Sequence, residues 1–262
     1  MKYAVVNEQR QEAEPSLTGN CPSCGQLMVA KCGTVKIWHW AHSGKRMCDH
    51  WWENETDWHR DWKGQFPNDW QERIHIAYGG EKHIADVKTI KDWVIEFQHS
   101  RLHPDERKAR NNFYEKLVWV VDGTRRKRDK QKFFDSLSEV TQVNNSESPV
   151  RRIFKFLWDD CALFRDWSDC LGPVFFDFGK DDPMLWCLLP RLADGKAYVL
   201  EFWRNGFIVF HRNEVKEVDY FADLIKNFIN TISEHNAVLK NQSHGQVVLQ
   251  RQFVRPRRHF RF

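Results

Sequence analysis

The sequence predicts an α/β (α+β) protein: a mixed sheet flanked by helices, with a small metal-held module before it and an α+β region with a basic tail after it. Three observations carry this. Cys21 and Cys24 in "CPSC", with His39 and His42 in "HWAH", set two close pairs of metal-type ligands near the N-terminus. Two strand-like runs follow around "GGEK", a hairpin signal, and a third alternates from Trp93 to Gln98. A Pro-initiated helical stretch then leads into "LVWVV", Leu117 to Val121, a short apolar run of the kind buried in a parallel sheet.

In chain order, residues 1–18 read as an irregular lead-in with one short strand at Tyr3 to Val6. Residues 19–50 are rich in Gly, Cys and His, and from Asn54 to Phe66 the pattern turns helical. Trp70 to Tyr78, His83 to Ile90 and Trp93 to Gln98 are strands, and Pro104 opens a helix with Ala109 and Phe113 on its inner face. The crossover to Leu117 makes that last strand parallel to an earlier one and right-handed in its connection. "TQVNNSESPV" reads as a boundary. This gives a module at 1–50, a core at 51–140 and a C-terminal region at 141–262. In the last region "PVFFDFG" and "MLWCLLP" read as strands, "AYVLEFW" and "FIVFHR" as a hairpin around "RNG", and Val218 to Ile232 as an amphipathic helix. No chemistry-bearing motif stands out there.

With 262 residues, 41% hydrophobic and 29% charged, the chain has the composition of a soluble globular protein. A net charge of +4 says little about partners, but its distribution says more. After Glu234 no acid occurs, while Lys240, Arg251, Arg255, Arg257, Arg258 and Arg261 do; a second basic run, "RRKRDK", covers Arg125 to Lys130. Such runs suit phosphate contacts. No segment is apolar enough for a signal peptide or a membrane span. Seven unevenly spaced cysteines suggest a reducing, cytoplasmic setting in which close-set thiols bind metal rather than form disulfides.

Cys21, Cys24, His39 and His42 match the tetrahedral S/N preference of Zn²⁺, with Cys32 and Cys48 as alternative ligands. Four protein ligands leave no open position, so the zinc is structural. On the helix, Glu55, His59 and Lys63 fall at i, i+4 and i+8 in one line bordered by Trp58, Trp62 and Phe66, while Asp57, Arg60 and Asp61 suit the solvated side. On the strands, Glu72 shares a face with Ile74 and Ile76, Asp86 with Ile84, and Glu96 with Gln98. Asp86 and Glu96 on adjacent strands can hold Mg²⁺ or Mn²⁺ through hard oxygen ligands, provided that a three-residue link from Ile90 to Asp92 sets the two opposite each other.

This order resembles the core of the PD-(D/E)xK nuclease superfamily. The string "CPSCG … WHWAH … NETDWHRDWK … QE … HIADV … IEFQHS … ERKARNNFY … LVWVVDG" is similar, more narrowly, to the CoiA-like competence protein family. The resemblance implies that Asp86 and Glu96 bind the catalytic metal and that Gln98 stands where the superfamily more often has lysine. It also implies that Glu55, His59 and Lys63 belong to the helix motif, that Glu72 is the first-strand acid, and that Arg110 and Tyr114 fall on the following helix. An amide orients water but supplies no positive charge, so Lys63 becomes the candidate cation and His59 the proton shuttle or phosphate contact. The expected function is metal-dependent cleavage of DNA, in processing or restricting incoming DNA. The alternative is a zinc-bearing nucleic-acid-binding module with little or no catalysis; an RNA substrate, a homo-oligomer and other DNA-processing partners stay open.

Overall fold

The computed structural model describes residues 1–44, 48–51, 55–137, 140–142, 148–213 and 218–252. The N-terminal stretch is more ordered than the sequence suggests. Tyr3–Val6 (β1) is the expected strand, but Asn7 and Glu8 take positive φ values of 49° and 67° and turn the chain into Gln9–Glu12 (β2). Two successive left-handed residues form the type I′ turn whose twist matches paired strands, and Asn at its first position was the available signal. Thr18–Asn20 (β3), Leu27–Lys31 (β4) and His39–His42 (β5) complete an antiparallel sheet in the order β2-β1-β3-β4-β5. Gly19 permits the close approach of β3 to β1, since a Cβ there would meet the Val5 carbonyl at 2.8 Å. The sheet curls until Trp40 N–H reaches the Met1 carbonyl at 2.9 Å, around a small core of Ala4, Ala13, Met28 and Trp40.

The next elements follow the expected order with trimmed ends. They are Asp57–Lys63 (α1), Gln71–Ile76 (β6), Lys82–Lys88 (β7), Val94–Gln98 (β8), Pro104–Phe113 (α2) and Leu117–Asp122 (β9). α1 is shorter than the predicted helix because Thr56 caps it, its hydroxyl accepting from His59 N–H. Glu55 therefore precedes the helix and does not belong to its i, i+4, i+8 line. β6 and β7 form the hairpin at "GGEK", and α2 carries the chain over to β9, which lies parallel to β8.

Beyond β9 come Asp129–Asp135 (α3), Val140–Gln142 (β10), Val150–Phe156 (β11), Ala162–Asp166 (α4), Val174–Asp177 (β12), Met184–Leu188 (β13) and Ala197–Trp203 (β14). Arg204–Arg212 (α5) and Tyr220–Gln252 (α6) end the described chain. The expected hairpin at "RNG" is not formed: "FIVFHR" is helix α5, with Phe207 and His211 buried four residues apart. Over so short a run an apolar stretch fits either period, and the helix won because its one face packs on the sheet. The tail from 253 onward, with its proposed nucleic-acid contacts, lies outside the described residues.

Nine strands make one sheet, β10-β11-β14-β13-β12-β9-β8-β7-β6. The expected division at residue 140 falls inside β10, and strands from both sides of it pair within this sheet. One face packs Trp119, Val121, Phe176 and Trp186 against Phe133 of α3 and Phe164 of α4. The other packs Phe97, Val120, Phe175 and Leu200 against Trp62 of α1, Phe207 of α5 and Phe221 of α6. Alternate residues of the central strands thus serve two cores, which is why β8, β9 and β13 are buried along their whole length. No helix among the described residues is long and apolar enough to cross a membrane.

Candidate functional site

The metal module gathers Cys21, Cys24, His42 and Cys48, whose ligand atoms lie within 4.8 Å of one another. His42 Nε2 is 3.4 Å from Cys24 Sγ and 3.5 Å from Cys48 Sγ. Tetrahedral zinc with ordinary Zn–S and Zn–N lengths sets such atoms about 3.5 Å apart, so the set fits zinc. Burial pushes the Cys21 thiol up to about 11, and a bound cation would favour its thiolate. His39 corrects the expected ligand set: its Nδ1 lies 2.8 Å from the Ile37 carbonyl, away from the cluster. The reason is parity. His39 and His42 are three apart on strand β5 and point to opposite faces, so Cys48 is the fourth member of the cluster.

The second site lies where β7 and β8 part. Their register, Val87↔Ile95 and Lys88↔Val94, is closed by Thr89 N–H to the Trp93 carbonyl at 2.9 Å, with Asp92 at φ 62° in a three-residue link. Continued by one step, this register sets Asp86 opposite Glu96. There side chains replace the ladder. Phe97 N–H donates to Asp86 Oδ2 at 3.0 Å, and the Phe97 carbonyl accepts from His59 Nε2 at 2.7 Å. Both backbone groups of Phe97 are thereby satisfied without a neighbouring strand, and the fork leaves a cavity of about 70 Å³. Glu55, His59, Lys63, Glu72, Asp86, Glu96 and Gln98 all line it, so the helix motif and the strand motif meet in one place. A cavity of this size admits several waters or a hydrated ion.

Charge is dense here. Lys63 Nζ sits 2.5 Å from Glu55 Oε1, 2.9 Å from Glu72 Oε1 and 4.0 Å from Asp86 Oδ1. Burial alone would lower the Lys63 ammonium pKa, but Glu72, Glu55 and Asp86 raise it above its ordinary value. Burial would raise Glu72, yet Lys63 and the chain's amino group hold it at about 2. Glu72 has φ 47°, a left-handed conformation costing about 1 kcal/mol, and the Lys2 and Tyr3 amides hold its two oxygens at 2.7 and 3.2 Å. Glu55 is also bound by Arg60, which leaves the expected solvated set to do so.

Glu96 behaves differently. Burial pushes its carboxyl up to about 8; the Arg110 guanidinium opposes this and Asp86 adds to it. Its Oε2 accepts from Arg110 Nη1 at 2.8 Å, while Oε1 is buried with no hydrogen-bond partner. An orphaned carboxylate oxygen beside a second carboxylate fits a divalent cation, which would give it a partner. Gln98 is fully buried and donates through Nε2 to the Ser100 carbonyl at 3.2 Å. His59 has both ring nitrogens engaged, Nε2 by Phe97 and Nδ1 by Thr56 Oγ1 at 3.0 Å, an arrangement suited to holding the fork open rather than to moving protons.

Two positioning residues escape sequence reading. Asp49 accepts from Ile84 N–H at 2.7 Å and contacts His83 Nδ1 at 2.9 Å, tying the metal module to β7. Asp177, in "PVFFDFG", accepts from the indoles of Trp58 (3.0 Å) and Trp62 (2.8 Å) and pairs with Arg204, so the C-terminal half of the sheet holds α1 in place. An aspartate inside an otherwise apolar strand was the signal.

Residues 7–50 match the family model for the N-terminal domain of the competence protein CoiA. The matched stretch contains all four clustered ligands and ends before α1. No curated protein and no solved structure matches the chain.

Proposed function

We propose that this protein is a metal-dependent nuclease that hydrolyses DNA phosphodiesters at the fork between β7 and β8. The observation that carries the reading is the unpartnered Oε1 of Glu96, buried beside Asp86 in a cavity that also receives Lys63 and Gln98. Asp86 and Glu96 would hold Mg²⁺ or Mn²⁺. When bound, such an ion polarises the phosphate and makes a water a better nucleophile. Gln98, pinned through its amide to Ser100, orients the water one tooth of the pleat from Glu96. Lys63 places positive charge where negative charge builds up on the phosphate. Water adds to phosphorus and gives up a proton to solvent, the P–O bond breaks, and the leaving oxygen takes a proton from solvent. Zinc in the Cys21, Cys24, His42 and Cys48 cluster would be structural, and free thiols suit a reducing, cytoplasmic setting. The likeness of residues 7–50 to the CoiA N-terminal domain supports a role in handling incoming DNA.

A second reading has its own observation: Lys63 is already neutralised by Glu55 and Glu72, which favours a module that binds nucleic acid with little catalysis. One assay separates the two. Linear, circular and single-stranded DNA are incubated with the full chain and Mg²⁺ or Mn²⁺. The nuclease reading expects cleavage, reduced by about 10²- to 10³-fold in Asp86→Asn and Glu96→Gln with DNA binding retained. Binding without cleavage under either metal would select the second reading.

A further inference from the structure

Next to the fork lies a larger cavity, about 900 Å³, that the proposed chemistry does not use. Its walls come from the segment after β8, the turn after β9 and the end of α4. Arginines dominate: Arg101, Arg107, Arg125, Arg126 and Arg165 line it, against a single lining acid, Asp166. Two are compensated. Arg107 is closed by Asp169 at 2.8 and 3.0 Å, and Arg126 is shared between Asp129 and Asp166. The other three are paired with no carboxylate among the described residues. Arg165 donates to the Asp159 carbonyl at 2.8 Å, Arg125 donates to the Ser100 carbonyl, and Arg101 is exposed. Arg125 Nε is buried without a partner. Burial and the neighbouring Arg126 both lower the Arg125 guanidinium, although Asp166, Asp129 and Asp122 pull the other way. Asp122 itself is taken by His99 Nδ1 at 2.7 Å. A concave wall with three uncompensated guanidiniums selects an oxyanion, and guanidiniums suit phosphate best.

Its position says which phosphate. Gln98 lines the fork cavity, whereas His99 and Ser100 line the arginine cavity. Consecutive Cα atoms are about 3.8 Å apart, so the two cavities share one short stretch of wall. We propose that the arginine cavity binds a backbone phosphate of the same nucleic-acid strand whose neighbouring phosphate sits at Asp86 and Glu96. The strand assignment rests on the nuclease reading; the phosphate site does not.

The test measures binding of a 5′-phosphorylated single-stranded oligonucleotide to the full chain by fluorescence anisotropy, across a salt series and without added Mg²⁺ or Mn²⁺. The variants are Arg101→Gln with Arg165→Gln, and separately Arg125→Gln. The double variant should bind about 10-fold more weakly, and its slope of log affinity against log salt should fall by about 1.4, since each charge lost on a single strand counts for about 0.7. Arg125 also anchors the Ser100 carbonyl, so the double variant, built on side chains at the rim, guards against a folding defect. Inorganic phosphate is the competitor arm. Displacement only at concentrations far above the oligonucleotide's own supports a polynucleotide site. Unchanged affinity and slope in both variants overturns the proposal. So does stabilisation of the wild type by inorganic phosphate, lost in the variants, while oligonucleotide binding stays the same. Because no cleavage is measured, an inactive protein would end the nuclease reading and leave this result to stand on its own.

Discussion

Strands β8 and β13 have the same length and are both buried at every position, yet they solve that burial differently. β13, Met184–Leu188, presents only apolar side chains and a cysteine to the two cores. β8, Val94–Gln98, keeps Ile95 and Phe97 for one core but puts Glu96 and Gln98 on the other face, where β9 offers Trp119 and Val121. In β13 packing explains every side chain, with only the buried indole N–H of Trp186 left without a hydrogen-bond partner. In β8 the carboxylate is explained only by what surrounds it: Arg110 on one oxygen, a small polar cavity at the other, and Asp86 opposite. A buried strand can thus carry a polar face where a neighbouring strand peels away, and the Phe97 backbone shows how the peeling is stabilised.

The largest effect should come from giving β13 what β8 has. Leu185→Glu places a carboxylate among the apolar side chains of the core around Phe175 and Phe202, and should cost about 4 kcal/mol or more, enough to abolish the cooperative unfolding transition. Its counterpart, Glu96→Gln, should fold normally. A Leu185→Glu chain with wild-type stability would show that the two environments are equivalent after all.

A gentler contrast uses pH. Glu96 has a folded-state value raised to about 8, so its favourable contribution is complete below the ordinary carboxylate range and is lost as pH rises through about 8. Glu72 runs the other way: held at about 2, it contributes above the ordinary range and loses that contribution as pH falls toward 2. Melting temperature measured from pH 3 to 9 should therefore decline at both ends. Glu96→Gln should flatten the alkaline limb and Glu72→Gln the acid one. No carboxylate or histidine occurs in β13, so substitutions there should shift the whole curve without changing its shape.

The smallest effect is expected at His39 of the metal module. Cys48→Ser should lower zinc content and destabilise residues 1–50, whereas His39→Ala should leave one zinc per chain and change stability by no more than about 0.5 kcal/mol. Equal zinc loss in both variants would restore the original ligand set.

Much of β8 and β13 is legible in the sequence, because alternation and apolar runs are local properties. Glu96 and Gln98 stood out for being polar on a strand otherwise fit for burial, and "CPSC" for its spacing. Spacing alone leaves the fourth member of the cluster open between His39, Cys32 and Cys48; only with "HWAH" read as β5 do its two histidines fall on opposite faces, which leaves the place to Cys48. α5 is too short for its apolar run to distinguish a helix from a strand. The fork itself, the Asp49 tie and the Asp177 clamp rest on residues far apart in the chain, and no local pattern encodes such meetings.

The Asp177 clamp has a consequence in time. Trp58 and Trp62 are made early, but the aspartate that receives their indoles and the Arg204 that fixes it come more than a hundred residues later. At ordinary rates of translation that interval is on the order of ten seconds. Throughout it the growing polypeptide carries Lys63, Asp86 and Glu96 without the support that seats α1. Vectorial synthesis therefore acts as a delay on the assembly of the fork. Ribosome-arrested chains of increasing length should leave the Trp58–Trp62 segment open to protease until Arg204 has cleared the exit tunnel; early protection would mean that α1 seats itself unaided.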